Sequence, residues 1–353
     1  MSLTLSLFLC FLLAFFSSLA LTPLVRRLAL ATGTIDTPGD PRRIHRSPIP
    51  RLGGIALFLS FTLSVLVFVP SFAAGRDFLT LILAGSVILA VGVIDDRFGV
   101  GPWWKLLWQI GAAVILITSG IGISAISSPL GGVINLDSLQ LNFAGYGISL
   151  LADLFTIFWI VAIVNTVNFL DGLDGLATGV GGIAALIIAG LALGSRVDQP
   201  ETALIALALA GAAFGFLPYN FYPARIFLAD SGSMFMGFIL ASLAVISGSK
   251  IATAILVLGF PMLDVAWAII RRSVRGVSPF QADRYHLHHR LLGLGLSQSS
   301  AVLLMYLLSF LFGAIALFAT SGQKLIMILL ITISTLLFLA AVLRLRQKSP
   351  KSG

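Results

Sequence analysis

The sequence predicts an all-α polytopic membrane protein with about eleven transmembrane helices, and its composition and its pattern both support this fold class. Of the 353 residues, 58% are hydrophobic and only 10% are charged, whereas soluble domains carry about 25% charged residues. Apolar runs long enough to cross a bilayer recur along the chain. Charged side chains are therefore too few to cover a soluble core of this size, and we expect lipid to surround most of the surface.

Each apolar run of about 17 to 25 residues is interpreted as one span. Short alternating segments, the pattern of a β-barrel, occur only at 131–147, where we expect a small extracytoplasmic β-hairpin. Together the spans form one integral membrane domain over 1–353. The predicted spans are 3–25, 52–72, 78–95, 104–121, 148–168, 175–194, 202–219, 232–248, 251–272, 299–319 and 325–343.

The distribution of basic residues predicts the orientation. The first span has no basic residue before it, has Arg26 and Arg27 directly after it, and shows no small-residue cleavage site, which favours a retained anchor with its N-terminus outside. Alternating loops from this start put the C-terminus and eighteen of the 22 basic residues in the cytoplasm. Such asymmetry is typical of the positive-inside rule. The basic residues on the other side are Arg76, Arg196, Lys250 and Lys324.

The cysteine content and the net charge narrow the function classes. The single cysteine, Cys10, excludes an intrachain disulfide and a thiolate metal cluster, and we expect it to face lipid or to pack between helices. The net charge of +8 is compatible with an anionic ligand at the cytoplasmic face. The positive-inside rule alone also explains most of the arginines, so charge does not select a ligand.

Two adjacent acids end the third span in VGVIDDRFGVGPWWK, at Asp95 and Asp96. Neighbouring carboxylates repel each other and are costly near hydrocarbon unless a cation or hydrogen-bond donors compensate them. Arg97 is the adjacent candidate for a salt bridge, and Lys105 faces the same loop. The pair indicates either a functional site or a span end at the membrane interface.

Polar residues recur at every third position in NTVNFLDGLDGLATG: Asn165, Asn168, Asp171 and Asp174. While the backbone is helical, this spacing keeps them on one slowly drifting stripe, which would offer oxygen ligands to a hard cation. Glycines after the aspartates let the backbone turn close to a ligand. The alternative is a polar helix cap followed by a glycine-rich packing helix.

A further acid, Asp230, begins the eighth span in RIFLADSGSMFMGF. The N–H groups of a helix start attract anions, and an acid beside them can hold Mg²⁺ against a phosphate. The alternative is plain N-capping by Asp230 or Ser231.

Three of the four histidines lie together in SPFQADRYHLHHRLLGLG, at His286, His288 and His289. No cysteine joins them, and flanking arginines such as Arg284 would disfavour a bound cation. Imidazole and guanidinium donors grouped in this way suit phosphate oxygens. An amphipathic interfacial helix is the alternative, and both interpretations are compatible.

These motifs resemble, in chain order, the polyprenyl-phosphate N-acetylhexosamine-1-phosphate transferases. This superfamily, of the glycosyl transferase family 4 type, includes the phospho-MurNAc-pentapeptide translocase and the enzymes that start O-antigen and teichoic acid linkage synthesis. The motifs are DTPGDPRRIHRSPIPRLGG (36–54), DD (95–96), NFLDGLDG (168–175), ADSGS (229–233), PMLD (261–264) and DRYHLHHRLL (283–292).

The resemblance implies transfer of a sugar-1-phosphate from a UDP-N-acetylhexosamine to a polyprenyl phosphate, with release of UMP. It implies Mg²⁺, or Mn²⁺ in its place, as cofactor, a bacterial plasma membrane with the site at the cytoplasmic face, no nucleic-acid partner, and either a monomer or a homodimer. Asp230, Asp95 and Asp96 would bind the metal. The implied catalytic residues are Asp95, Asp96, Asp171 and Asp174, and the implied substrate-binding residues are His45, Lys105, Asn168, Arg284, His286, His288 and His289.

Three alternatives are less compatible with the sequence. A transporter keeps its carboxylates near the midplane between inverted repeats, whereas here they end spans at one face. A CDP-alcohol phosphatidyltransferase needs Ala-Arg where this chain has Thr178 and Gly179. The pentapeptide branch of the resembled family has three consecutive histidines followed by Phe-Glu, whereas this chain reads HLHHRLL. That sequence favours UDP-GlcNAc as donor.

Overall fold

The described part of the computed structural model is a helical bundle with three short antiparallel ribbons. The structure describes residues 2–37, 48–69, 76–128, 132–143, 146–195, 197–247, 251–274, 276, 291–293, 295–320 and 322–333. The helices are α1 (Leu3–Ala31), α2 (Gly53–Phe68), α3 (Arg76–Phe98), α4 (Pro102–Thr118), α5 (Leu150–Leu170), α6 (Leu176–Leu193), α7 (Pro200–Asn220), α8 (Ala229–Ile246), α9 (Ile251–Val257), α10 (Gly259–Val274), α11 (Gln298–Phe318) and α12 (Gly322–Ile333).

Within these described residues, seven helices are long and apolar enough to cross a bilayer: α1, α3, α5, α6, α7, α8 and α11. The pair α9 and α10 would make an eighth if it is counted as one broken span. The chain is therefore a polytopic membrane protein, as predicted. The expected total of eleven spans is not confirmed. Helices α2 and α4 have 16 and 17 residues, fewer than the roughly 20 that span hydrocarbon, and residues 334–343 of the last predicted span, 325–343, lie outside the described residues.

The predicted span at 251–272 is broken in the structure. Helices α9 and α10 meet at an angle of 83°. Pro261 lies in the first turn of α10, where its missing N–H removes no helical hydrogen bond, whereas inside one continuous helix it would remove a bond and clash with the preceding turn. The proline therefore favours a new helix start over a continuous span.

Helix α8 lies at the centre of the bundle. It packs against α2, α3, α5 and α6, and nearly all its side chains are buried. Gly237 lets α5 approach closely, because a Cβ there would lie 2.8 Å from the Cα of Val164. Around this core, α1 packs on α2 and α7, and α11 packs on α6. Cys10 is buried, with its sulfur 3.3 Å from the Ser64 hydroxyl, which confirms the packing interpretation.

One end of the bundle, here called the carboxylate end, collects Asp95, Asp96, Asp171, Asp174 and Asp230. Helices α3, α5 and α7 end there, and α4, α6 and α8 begin there. A ribbon that the sequence did not predict lies at the same end: β1 (Ile35–Asp36) pairs with β2 (Ile49–Pro50). It connects α1 with α2 and is hydrogen-bonded to the segment before α8.

The predicted hairpin at 131–147 is two ribbons in the structure. Strand β3 (Ala125–Ser127) pairs with β4 (Val133–Asn135), and β5 (Gln140–Phe143) pairs with β6 (Tyr146–Ser149). Both lie between the end of α4 and the start of α5, away from the carboxylate end. The alternating pattern therefore identified the strands, but not that the first hairpin begins before 131.

Candidate active site

Asp95 and Asp96 lie on the last turn of α3 and are both buried, with 8% and 6% of their surface exposed. One Asp95 oxygen accepts a hydrogen bond of 2.5 Å from the backbone N–H of Val100. Its other oxygen lies 3.2 Å from the Lys105 ammonium. The loop between α3 and α4 thus folds back on its own first carboxylate.

Lys105 lies in the first turn of α4, where Pro102 starts the helix because its fixed φ suits a first helical position. The Lys105 nitrogen lies 2.7 Å from an Asp230 oxygen as well as 3.2 Å from Asp95. One ammonium therefore bridges carboxylates of α3 and α8. Without that charge the two carboxylates would repel each other.

Asp230 is held on its other oxygen by Asn168 of α5. The Asn168 side-chain amide donates to that oxygen and to the Ser233 hydroxyl, both at 2.9 Å. Asp230 thus joins three helices, through Lys105 on α4, Asn168 on α5 and its own backbone on α8. Because the Lys105 ammonium and the Asn168 amide fix this carboxylate, it is preorganised to bind a metal cation that takes the place of the ammonium.

Asp96 is used differently from Asp95. Its two oxygens accept hydrogen bonds from the backbone N–H groups of Asp230 and Ser231, at 3.0 and 3.1 Å. It also pairs with Arg51, at 3.1 Å between the guanidinium and one oxygen. The alternative interpretation, an N-cap by Asp230 or Ser231, is not what the structure has, because Asp96 of α3 caps the start of α8. Arg97, the expected salt-bridge partner, instead donates to the Thr32 carbonyl.

The stripe of four polar residues does not form one surface. Asn165 donates to the buried Gln109 side chain of α4 at 2.7 Å. Asp171 is the C-cap of α5, and an Asp174 oxygen accepts a hydrogen bond of 2.9 Å from the Ala224 N–H. The helix ends at Leu170, and beyond it the residues point in different directions. Asn168 donates to Asp230, and Asp171 accepts a hydrogen bond from the backbone N–H of Ala229, next to Asp230.

Two groups of the site that lie outside the spans, Asp171 and Arg51, have shifted pKa values. Burial raises the pKa of Asp171 well above its usual value, and the charges of Asp230 and Asp96 raise it further. Burial lowers the pKa of Arg51, but the nearby Asp96 and Asp230 charges outweigh this effect and raise its pKa overall. The carboxylates thus impose negative potential at this end of the bundle, which favours a bound cation.

A divalent cation fits part of this donor set. Among the described residues, no group of three or more His, Cys, Asp or Glu converges as a metal site. Asp95 and Asp230 nevertheless direct oxygens at the same Lys105 nitrogen. Mg²⁺ is usually held by one or two carboxylates together with substrate phosphates and water. These two carboxylates suit such a site, whereas both Asp96 oxygens are engaged by backbone N–H groups.

The described structure covers only part of the predicted site. It brings together Asp95, Asp96, Lys105, Asn168, Asp171 and Asp230. The catalytic, metal-binding and substrate-binding roles of these residues remain predictions. Sequence reasoning missed Arg51 because the arginine was counted only as a topology signal. Its position two residues before the Gly53–Gly54 helix start is the signal that would have found it. The predicted site residues outside the described residues are His45, Arg284, His286, His288 and His289.

Known proteins with similar sequences cover most of the chain. The sequence model of glycosyl transferase family 4 matches residues 78–248. A decaprenyl-phosphate N-acetylglucosaminephosphotransferase of Mycobacterium tuberculosis is 36% identical over 312 residues, 80% of this chain and 75% of the relative. Undecaprenyl-phosphate alpha-N-acetylglucosaminyl 1-phosphate transferases are 30% identical over 317 residues in Haemophilus influenzae (86% and 83%) and 27% over 307 residues in Escherichia coli (83% and 78%).

Proposed function

Because the chain belongs to glycosyl transferase family 4, we propose that it transfers N-acetylglucosamine-1-phosphate from UDP-GlcNAc to a polyprenyl phosphate such as undecaprenyl phosphate. The products are polyprenyl-diphosphate-GlcNAc and UMP. The observation that carries the proposal is the convergence of Asp95, Lys105, Asn168 and Asp230 at the carboxylate end of the bundle. The sugar and the lipid phosphate of the proposal are those that appear in the names of the relatives.

The reaction is an in-line displacement at phosphorus. An oxygen of the polyprenyl phosphate attacks the β-phosphorus of UDP-GlcNAc, and a P–O bond forms. The bond from that phosphorus to the bridging oxygen breaks, and its electron pair leaves with UMP. The attacking phosphate is already largely deprotonated at neutral pH, so Asp95 is needed more for orientation than as a base.

The residues of the site neutralise and orient phosphates. Asp230 and Asp95 would hold Mg²⁺, or Mn²⁺ in its place, and the bound ion would supply charge stabilisation to the diphosphate. Lys105 contributes a positive charge between the two carboxylates, and Asn168 fixes the rotamer of Asp230. Fixed donors in a site with little water stabilise developing charge more strongly than they would in solution.

The proposed setting is the plasma membrane of a bacterium. The carboxylate end carries Arg26, Arg51 and Arg225. By the positive-inside rule these arginines support a cytoplasmic position for this end, where nucleotide sugars are available. A lipid phosphate in the inner leaflet reaches the same depth as helix ends at the interface. The reaction would be the first membrane step in making a cell-envelope polysaccharide, such as lipopolysaccharide or teichoic acid.

The experiment that tests the function identifies the released nucleotide. Purified protein is incubated with Mg²⁺, undecaprenyl phosphate and, in parallel, UDP-GlcNAc, UDP-GalNAc or UDP-MurNAc-pentapeptide. We expect UMP to be released with UDP-GlcNAc, and no release when the metal is chelated. Release of UDP would contradict phosphoryl transfer. Turnover of the pentapeptide donor alone would leave the chemistry standing and contradict the donor.

A further inference from the structure

Arg51 connects the segment between α1 and α2 to the end of α3. Its guanidinium lies 3.1 Å from Asp96, whose side chain is fully buried, while the Arg51 side chain keeps 27% of its surface exposed. A buried carboxylate without a compensating cation is strongly destabilising. Arg51 therefore places a positive charge directly beside this buried carboxylate.

Asp96 in turn holds the first turn of α8. The first N–H groups of a helix have no partner within the helix, and the N-cap residue Leu228 offers no side-chain hydrogen bond. The two Asp96 oxygens accept from the N–H groups of Asp230 and Ser231. The position of the Asp230 backbone is thus set by a carboxylate on α3.

The chain around Arg51 also holds the segment that leads into α8. The Phe227 N–H donates to the Pro50 carbonyl at 2.9 Å, and the Gly53 N–H donates to the Phe227 carbonyl at 3.1 Å. Residues 50–53 therefore bind Phe227 from both sides, three positions before Asp230. Arg51 lies between the two hydrogen-bonding residues.

Two glycines bring backbone into direct contact with the same turn. A Cβ at Gly54 of α2 would lie 2.3 Å from the Gly232 nitrogen, and a Cβ at Gly92 of α3 would lie 2.4 Å from the Ser231 Cα. Neither site has room for a side chain. The first turn of α8 is therefore fixed by backbone contacts from α2 and α3 as well as by Asp96.

We propose that Arg51 is a positioning residue: through Asp96 it fixes the first turn of α8 and so places the Asp230 carboxylate for its divalent cation. This inference rests on the proposed function only in giving Asp230 a cation to bind. Arg51 itself touches Asp96, not Asp230. Its loss therefore weakens cation binding indirectly, by releasing the helix start.

The first test measures hydrogen–deuterium exchange in the purified protein, without substrate. Arg51→Leu is compared with wild type and with the matched control Arg97→Leu, whose arginine lies beside Asp96 in sequence but bonds to Thr32. We expect the peptide covering 228–234 to exchange about tenfold faster in Arg51→Leu only. The reason is that the Asp230 and Ser231 N–H groups would be held less firmly by Asp96 and would open to solvent more often. Peptides from α6 and α7 should be unchanged. Unchanged exchange at 228–234 would overturn the proposal.

The second test separates positioning from direct substrate contact. The Mg²⁺ concentration for half-maximal UMP release is measured for Arg51→Leu, Asp96→Asn and the double variant. We expect Arg51→Leu to raise this Mg²⁺ concentration about tenfold, with a smaller change in the KM for UDP-GlcNAc. In the Asp96→Asn background the same substitution should raise the Mg²⁺ concentration little further. Additive effects, or a change in KM alone, would mean that Arg51 contacts substrate and would overturn the proposal.

A conservative variant guards against misfolding. Arg51→Lys keeps the positive charge but not the planar guanidinium, so its exchange and its Mg²⁺ requirement should fall between wild type and Arg51→Leu. If Arg51→Leu cannot be purified, Arg51→Lys decides the exchange test. If wild-type protein releases no UMP, the proposed function fails, while exchange at 228–234 still decides the role of Arg51.

Discussion

Lys105 and Asp230 form an ion pair of 2.7 Å between the first turns of α4 and α8, and the same ammonium lies 3.2 Å from Asp95. Residues far apart in the sequence thus meet around one positive charge at the carboxylate end. The Lys105 ammonium compensates the two carboxylates, and its flexible stem would let it reach phosphate oxygens if a divalent cation took its place.

Replacing Lys105 by Met should lower UMP release at least about tenfold, which corresponds to roughly 1.4 kcal/mol of transition-state stabilisation. The reason is that Asp95 and Asp230 lose their shared cation and repel each other. The assay is initial-rate UMP release at saturating Mg²⁺. Lys324→Met is the control, because Lys324 donates to Thr253 at the start of α9 and should keep normal turnover. Near-normal rates for Lys105→Met would remove Lys105 from the site.

Replacing Asp230 by Asn should also lower turnover at least about tenfold while the protein stays folded. The amide removes the charge that faces Lys105 and would present a donor to a cation. Asp153→Asn is the matched control, since Asp153 lies in the first turn of α5, at the opposite end of the helix that carries Asn168. Turnover and melting temperature are measured together. Normal turnover of Asp230→Asn would exclude Asp230 as a metal ligand.

Replacing Gly54 by Ala should destabilise the protein by about 1–3 kcal/mol, the usual range for overpacking. The new methyl group would overlap the Ser231–Gly232 backbone, and backbone cannot move aside as a flexible side chain can. Gly111→Ala in α4 is the control, because no atom lies within 4 Å of a Cβ there. Thermal unfolding in detergent should show a lower midpoint for Gly54→Ala only. Equal midpoints would contradict the close packing of α2 on α8.

The motifs located the candidate site, but not the division of roles within it. The sequence shows that DD lies at the end of one helix and ADSGS at the start of another. It also shows that adjacent acids beside hydrocarbon need partners. That Asp95 turns to Lys105 while Asp96 turns to the α8 backbone depends on how α3 packs on α8. Side-chain direction at adjacent helical positions differs by about 100°, so neighbouring residues can serve different helices.

The span count and the stripe of four polar residues show a second limit of prediction from sequence, which is that the ends of helices are not visible. Hydropathy detects an apolar run but not where its helix starts, and the 52–72 run begins as helix only at Gly53 and ends at Phe68. The stripe assumed a continuous helix, yet α5 ends at Leu170. Beyond that point the spacing no longer determines direction, and Asp174 binds the Ala224 N–H instead.

The orientation can be tested with cysteine labelling, because the single natural cysteine, Cys10, is buried. Arg225→Cys lies at the carboxylate end and Asn135→Cys lies in β4, and both positions are exposed. In right-side-out vesicles a membrane-impermeant maleimide should label Asn135→Cys and not Arg225→Cys, and inside-out vesicles should give the reverse. Labelling of Arg225→Cys from outside would put the site on the wrong face for a cytoplasmic nucleotide sugar.

The fate of the donor β-phosphorus tests the central claim most directly. Purified protein, Mg²⁺ and undecaprenyl phosphate are incubated with UDP-GlcNAc labelled at the β-phosphorus, and lipid and aqueous fractions are separated. Attack at phosphorus predicts that the label enters the lipid in equal amount to the UMP released, and that Asp230→Asn abolishes most of this transfer. Label retained in aqueous UDP, with unlabelled phosphorus in the lipid product, would show attack at the sugar carbon and contradict the account.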